Sequence, residues 1–184
     1  MMTIASNELI EDLIDRTLKN IKAAEQFNQF TIEHLNKKNT PKSWSILECL
    51  EHLNLYGDFY LPEIEDRIVK SEQKSTAVFK SGFLGDYFAK SMLPKEKLNK
   101  MKTFQDKNPI NSDLDKKCIH RFILQQQKTI ELLNLASKKD LNKIKTSISI
   151  SKWIKLKLGD TFRILIYHND RHIVQANTII TSQQ

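Results

Sequence analysis

Three of the five histidines in this chain of 184 residues have a spacing that suits metal binding. His168 and His172 are four residues apart, which on an α-helix places both imidazoles on one face, about one turn apart. Two imidazoles so placed can bind one ion. A third imidazole from another helix would complete a three-nitrogen site with open positions for water or substrate, as in catalytic zinc sites. His52 is the candidate for that third ligand.

Packing is the alternative role for each of these histidines. A pair spaced by four can be incidental, and an isolated His52 can be a hydrogen-bonded core residue. His168 and His172 nevertheless share a predicted apolar stripe with Leu165 and Ile179. Two buried neutral imidazoles without partners would be costly, and a metal ion would satisfy both. From the residues alone, metal binding and core packing both stay open.

Three polar residues near the histidines in sequence are candidates for supporting a metal site: Glu48, Tyr56 and Gln175. Glu48 has a sufficient structural role at the start of a helix. Tyr56, one turn after the isolated histidine, could donate a hydrogen bond to a bound water or simply pack. Gln175 could orient an imidazole or pack between helices. No general base stands out, since Glu48, Glu51 and Tyr56 qualify by proximity only.

The composition predicts an all-α protein. Hydrophobic residues make up 40% of the chain and charged residues 28%, and only four glycines and four prolines interrupt it. Apolar residues recur every three or four positions over residues 7–29, 46–69, 112–137 and 159–179. This pattern predicts four long helices, the third beginning at residue 112 or 113 and the fourth at 159 or 160. The length suits a single domain over residues 1–184.

The helix boundaries have local signals of different strength. Ser45 and Glu48 form an S-x-x-E capping box that places the start of the second helix at Ile46, and Trp44 is expected to pack against that start. Ser6 is the expected N-cap of the first helix. Gly57 and Pro62 are expected to bend or loosen the second helix.

The connections complete a predicted four-helix bundle with a long crossover. A short helix is expected over residues 32–36, after the first long helix. A second is expected over residues 84–92, inside an otherwise irregular insertion at 76–111 between the second and third long helices. Residues 140–158 are expected to form mainly an extended connection. Bundles of this kind build metal sites from facing helices.

Cysteine content and charge limit the partners. Cys49 and Cys118 fall on predicted apolar faces, so we expect core thiols in a reducing compartment rather than a disulfide or a nucleophile. The net charge of +7 comes from scattered lysines without a continuous basic stripe, which argues against nucleic acid. No apolar stretch approaches the roughly 20 residues of a membrane span, and no export signal is apparent. A cytoplasmic protein without a membrane partner is expected.

Two motifs resemble those of the DinB/YfiT-like superfamily. Residues 44–53 read W-S-I-L-E-C-L-E-H-L, similar to the W-S-x-x-E-x-x-x-H-L motif. Residues 158–163 read L-G-D-T-F-R and lead into residues 167–175, where His168 to Gln175 is similar to the closing H-x-x-R-H-x-x-Q motif. The order and separation of the motifs also agree, so the resemblance covers nearly the whole chain.

The resemblance implies a four-helix bundle with a divalent metal, commonly nickel or zinc, bound by His52, His168 and His172. Related proteins include thiol-dependent S-transferases and isomerases that use low-molecular-weight thiols such as bacillithiol or mycothiol, and others described only as metal-dependent hydrolases. Dimers are frequent. We therefore expect a metal-dependent enzyme with a small-molecule substrate, either an S-transferase or a hydrolase. The alternative is a non-catalytic metal-binding or stress-related protein.

Overall fold

The computed structural model describes residues 1–94 and 103–182, and the chain is mostly helical. The α-helices in this part of the chain are α1 (Ser6–Phe27), α2 (Ile32–Asn36), α3 (Ile46–Val69), α4 (Phe83–Met92), α5 (Lys117–Ala136) and α6 (Leu158–Thr181). Short strands accompany them: β1 (Thr3–Ala5), β2 (Val78–Lys80), β3 (Lys145–Ile148) and β4 (Ser151–Lys157). An all-α description fits in broad terms.

The four long helices pack pairwise around two apolar clusters. α1 and α3 each pack against α5 and α6, while α4 packs on α6. The first cluster includes Ile64 and ends on α6 at Tyr167, and the second includes Phe122 and begins on α6 at Ile173. Residues 168–172 therefore lie on α6 between the two clusters, which places polar groups at the junction of two dry regions.

The second long helix begins where its capping box predicts. In α3 the Ser45 hydroxyl accepts from the Glu48 backbone N–H at 3.2 Å, and the Ser45 N–H donates to Glu48 Oε2 at 2.8 Å. The helix continues without interruption through Pro62 to Val69. One missing donor does not end a helix that is packed against both α5 and α6.

Two small sheets were not predicted, and one of them lies within residues 140–158, which were expected to form mainly an extended connection. Residues 145–157 form an antiparallel hairpin in which Lys145 pairs with Lys157 and Thr146 with Leu156. β1 pairs with β2, with Ile4 opposite Phe79. Apart from β4, which has seven residues, the strands have three or four residues, too few to show a periodicity that identifies them without their partners.

Some helix ends differ from the predictions by a few residues. α1 begins at Ser6 with Ala5 as its N-cap, because β1 extends the backbone up to Ala5. α5 begins at Lys117 rather than at residue 112 or 113. The side chain of Asp115 accepts from the Lys117 N–H at 2.8 Å, and Asn111 adopts a φ of 63°, so this stretch forms turns instead.

Both cysteines belong to the core, as predicted. Cys49 and Cys118 are buried and free. Burial raises the pKa of each thiol, which keeps both protonated. None of the helices in residues 1–94 and 103–182 combines the length and the apolar character that crossing a bilayer requires.

A buried polar cluster fixes α4 and the chain before it on the first half of α6. Arg163 donates to Ser81 Oγ at 2.8 Å, to Asp160 Oδ1 at 3.1 Å and to Asp86 Oδ1 at 3.1 Å. The Gly82 N–H donates to Asp160 Oδ2 at 2.8 Å. Because these charges are buried and mutually paired, displacing either helix would leave a charge without its partner. The cluster thereby sets the position of α4.

Gly85 should tolerate no side chain at this contact. A Cβ at Gly85 would overlap the carboxylate of Asp160, so Gly85→Ala should lower the free energy of unfolding by about 1–3 kcal/mol, as overpacking does. Chemical denaturation measures the change.

Gly57→Ala is the matched control within α3. The three atoms nearest a Cβ there all belong to the far end of the flexible Gln125 side chain, which can move away. Its unfolding free energy should change by less than about 1 kcal/mol. Equal stability of the Gly85 and Gly57 variants would contradict the packing of α4 on Asp160.

Candidate metal centre

Imidazoles from two helices converge at one point. His52 lies on α3, and His168 and His172 lie on α6. The Nε2 atom of His168 is 3.2 Å from Nε2 of His52 and 3.1 Å from Nε2 of His172. One ring nitrogen from each histidine lies within 4.8 Å of the others, and all three residues are buried. Helical spacing places the pair on one face of α6, and the packing of α3 on α6 brings His52 to it.

Oxygen atoms behind two of the rings determine which nitrogen carries the proton. His52 Nδ1 is 2.6 Å from the main-chain oxygen of Lys107, and His172 Nδ1 is 2.9 Å from Oε1 of Gln175. Both oxygens only accept hydrogen bonds, so each Nδ1 is the donor. In a neutral imidazole the Nε2 lone pair is then free to accept, and both lone pairs point toward His168.

The surroundings keep the three imidazoles neutral. Burial lowers the pKa of His52 to about 4 and that of His172 to about 3. Burial, with the neighbouring histidines, also lowers the pKa of His168 well below its ordinary value. At neutral pH all three are therefore in the form that ligates metals.

The three histidine nitrogens suit a metal ion better than they suit hydrogen bonding with one another. The Nε2 of His168 can offer at most one hydrogen, yet it faces the lone pairs of both His52 and His172. A divalent cation can accept a lone pair from all three nitrogens. Nitrogens bound about 2.0–2.1 Å from a common ion are about 3 Å apart, which matches the separations found. This buried group could hold a metal ion, and its geometry does not select one metal.

Two aromatic side chains enclose the histidines. The Trp44 ring lies 4.6 Å from that of His52 and 5.6 Å from that of His172. The Tyr56 ring lies 5.0 Å from His52 and 4.8 Å from His168. Trp44 thus packs on two imidazoles in addition to preceding the helix start, a role that its sequence position did not reveal. Burial raises the pKa of Tyr56 to about 12, so its hydroxyl stays protonated.

The acidic candidates lie elsewhere. Glu48 Oε1 accepts from the Asn111 N–H at 2.5 Å and pairs with Lys38 at 2.6 Å, while its other oxygen serves the capping box. Glu51 pairs with Arg121 at 2.9 Å. The structure therefore brings Tyr56 and Gln175 to the histidines but not Glu48 or Glu51. Sequence reasoning missed the Lys107 carbonyl, because any residue can supply a main-chain acceptor.

The histidines line a cavity of about 790 Å³. Its described walls come from the chain before α3, from α3, α4 and α6, from the β3–β4 hairpin, and from residues 103–110. The volume is within the range of small-molecule sites, which is about 300–1,000 Å³. A molecule in this cavity could reach the three Nε2 atoms.

A family model supplies the assignment. The model of the DinB superfamily matches residues 13–176, a range that contains all three histidines and both motifs. The chain belongs to the DinB superfamily. No curated protein and no solved structure matches it significantly. Within this DinB-superfamily chain, the matched range also contains Trp44, Tyr56 and Gln175, which surround the histidines.

Gln175 should contribute to metal affinity through His172. Gln175→Ala removes the acceptor that fixes the His172 tautomer and should weaken nickel or zinc binding by about 10-fold or more. Competition with a chelating dye measures the dissociation constant. Gln175→Glu keeps an acceptor and should retain most of the affinity.

Asn177→Ala provides the matched control, since Asn177 is an exposed residue of the same helix. Its metal affinity should equal that of the unmodified protein. Equal losses in the Gln175 and Asn177 alanine variants would rule out a specific contribution of the Gln175 contact.

Proposed function

We propose that this DinB-superfamily protein is a metal-dependent enzyme whose His52, His168 and His172 bind one divalent ion, nickel or zinc. The observation that carries the proposal is the convergence of three neutral Nε2 atoms in the wall of a cavity of about 790 Å³. In this proposal the whole chain is one domain, and its four long helices act as the bundle that positions the ligands.

The residues around the site would have different roles in the reaction. A divalent ion bound there would supply Lewis acidity and favour the deprotonated form of a water molecule or a thiol. The Lys107 carbonyl and Gln175 orient two of the ligands from behind. Trp44 and Tyr56 pack against the imidazoles and, like them, line the cavity that would admit a small molecule.

Thiol transfer suits this cavity better than hydrolysis. Among the described residues, no aspartate or glutamate lines the cavity, and the hydroxyl of Tyr56 has a pKa of about 12. None of the described lining side chains is thus an evident candidate for the base that hydrolysis usually needs. A thiol, with an ordinary pKa of about 8.5, loses its proton to solvent more readily than water does. We therefore infer a thiol-dependent S-transferase, with a hydrolase as the alternative.

The proposed step forms a sulfur–carbon bond and breaks the thiol S–H bond and the bond from that carbon to the leaving group. The sulfur of a low-molecular-weight thiol forms a bond to an electrophilic carbon of the second substrate, and the leaving group departs with its bonding electron pair. The thiol proton passes to solvent. Tyr56, which stays protonated and lines the cavity, would donate a hydrogen bond to the leaving group or the substrate in this proposal.

Further parts of the proposal concern partners and compartment. Buried free thiols are typical of a reducing compartment, so we propose a cytoplasmic location. The cavity supports small molecules as partners, rather than nucleic acid or membrane. Exposed apolar side chains on α4 and β4, including Phe83 and Trp153, support a homodimer.

His168→Ala should abolish metal retention without unfolding the chain. The His168 imidazole lies next to both of the others, so its loss leaves only two ligand nitrogens, those of His52 and His172. Elemental analysis should give about one nickel or zinc ion per unmodified chain and almost none per variant chain. Far-ultraviolet circular dichroism should be unchanged.

His120→Ala is the control, because His120 is exposed on α5 and distant in sequence from the site. It should keep the full metal content. Loss of helicity together with the metal in His168→Ala would make the ion part of the scaffold and would count against a catalytic site.

Metal-dependent turnover is the direct test of function. The protein loaded with nickel or zinc should accelerate transfer of bacillithiol or another small thiol to 1-chloro-2,4-dinitrobenzene, measured against the uncatalysed rate. Hydrolysis of p-nitrophenyl esters should be slower, for want of a base. Transfer should disappear in His168→Ala and persist in His120→Ala. One bound metal per chain without turnover in either assay would favour the non-catalytic metal-binding alternative.

A further inference from the structure

Two hydroxyl groups meet in the cavity wall at a distance from the histidines. The Tyr60 hydroxyl lies 3.4 Å from Oγ of Ser149 and accepts from the Ser149 N–H at 3.3 Å. Both residues line the cavity. Tyr60 follows His52 by eight residues on α3, which is about 12 Å along the helix axis. The Tyr60–Ser149 pair therefore joins α3 to the turn between β3 and β4, at the end of the cavity remote from the candidate metal centre.

The surroundings of the Tyr60–Ser149 pair are apolar. Tyr60 is 5% exposed and belongs to the first apolar cluster. Among the described lining residues from α4, from the β3–β4 hairpin and from the part of α6 before His168, Ser149 is the polar one. The others that are not exposed form what we call the apolar wall: Phe88, Met92, Ile148, Leu156, Ile164 and Leu165. In such surroundings a hydroxyl hydrogen without an acceptor is costly.

One hydroxyl hydrogen of the Tyr60–Ser149 pair lacks an acceptor in the described part of the protein. Two hydroxyls in contact share one hydrogen, because one of them donates and the other accepts. Neither hydroxyl contacts a further acceptor among the described residues. Burial raises the pKa of Tyr60, so its hydroxyl stays protonated and can donate. One O–H group is therefore available to an acceptor atom of a molecule in the cavity.

We propose that the cavity binds the second substrate of the transfer through a neutral acceptor oxygen at the Tyr60–Ser149 pair and an apolar body on the apolar wall. The inference rests on the proposed function for the reaction but not for the binding. A small polar thiol would leave the wall uncovered, so the wall suits the electrophile better. Its reacting carbon then lies at the opposite end of the body, toward the histidines. An uncharged alkyl or aryl carbonyl compound with its leaving group at that end has this form.

Matched probes isolate the acceptor oxygen. Acetophenone and α-methylstyrene have the same phenyl body and the same branching, and they differ only in a carbonyl oxygen in place of a methylene carbon. Isothermal titration calorimetry measures the dissociation constant of each. The double variant Tyr60→Phe/Ser149→Ala should bind acetophenone about 5-fold more weakly, which is the loss of one hydrogen bond, and α-methylstyrene as before. Each single variant should lose less, because the remaining hydroxyl can still donate.

Two further variants serve as controls. Tyr87→Phe removes an exposed hydroxyl of α4 outside the cavity lining, so both probes should bind as before. Met92→Gln places an amide in the apolar wall and should weaken both probes alike. Equal losses of both probes in the double variant would mean that the Tyr60–Ser149 pair only shapes the wall. That result, an unchanged acetophenone affinity, or no binding of either probe would overturn the inference.

Titration with and without bound zinc separates this inference from the proposed function. The loss specific to acetophenone should be the same in both forms, because Tyr60 is about 12 Å from His52 along α3. Zinc-dependent turnover without any effect of the double variant on acetophenone would contradict this inference alone. Protein that binds no zinc yet binds acetophenone through the Tyr60–Ser149 pair would support the inference while contradicting the proposed metal site.

Discussion

Three lone-pair-bearing nitrogens in a dry interior constitute the central constraint of this structure. Neutral imidazoles can satisfy one another only through shared hydrogens, and the central ring of His168 has too few for both neighbours. The orientation of the outer rings is fixed from behind by the Lys107 carbonyl and by Gln175. The rest of the molecule can be understood as the framework that holds this electron-rich point in place.

That framework acts on two helices. The capping box fixes the register of α3, and so the level at which His52 meets α6. The buried Arg163–Asp160 pair fixes the chain before α4 against the first half of α6, and with it one side of the cavity. Between the two apolar clusters, residues 168–172 are the polar interval that neither cluster covers. The position of the histidines, their burial and the shape of the cavity beside them thus have separate structural causes.

Local sequence patterns predicted much of the helical fold and part of the candidate metal site. The spacing of His168 and His172 and the capping box of α3 act within one or two helical turns, so the residues alone predict them. The convergence of His52 on the pair depends on packing between helices, and the family resemblance indicated it. The β3–β4 hairpin and the Lys107 carbonyl could not be predicted, since short strands need distant partners and main-chain atoms have no residue type. Trp44 could be placed at a helix start but not against two imidazoles.

Residues 103–110 have two roles that cannot be separated. Phe104, Asn108 and Ile110 form part of the cavity wall, and Lys107 between them accepts the hydrogen bond from His52 Nδ1. Any displacement of this stretch that moves the Lys107 carbonyl would remove the acceptor from His52 Nδ1 and free the ring to exchange tautomers. The shape of this part of the cavity wall is therefore coupled to the donor strength of one imidazole.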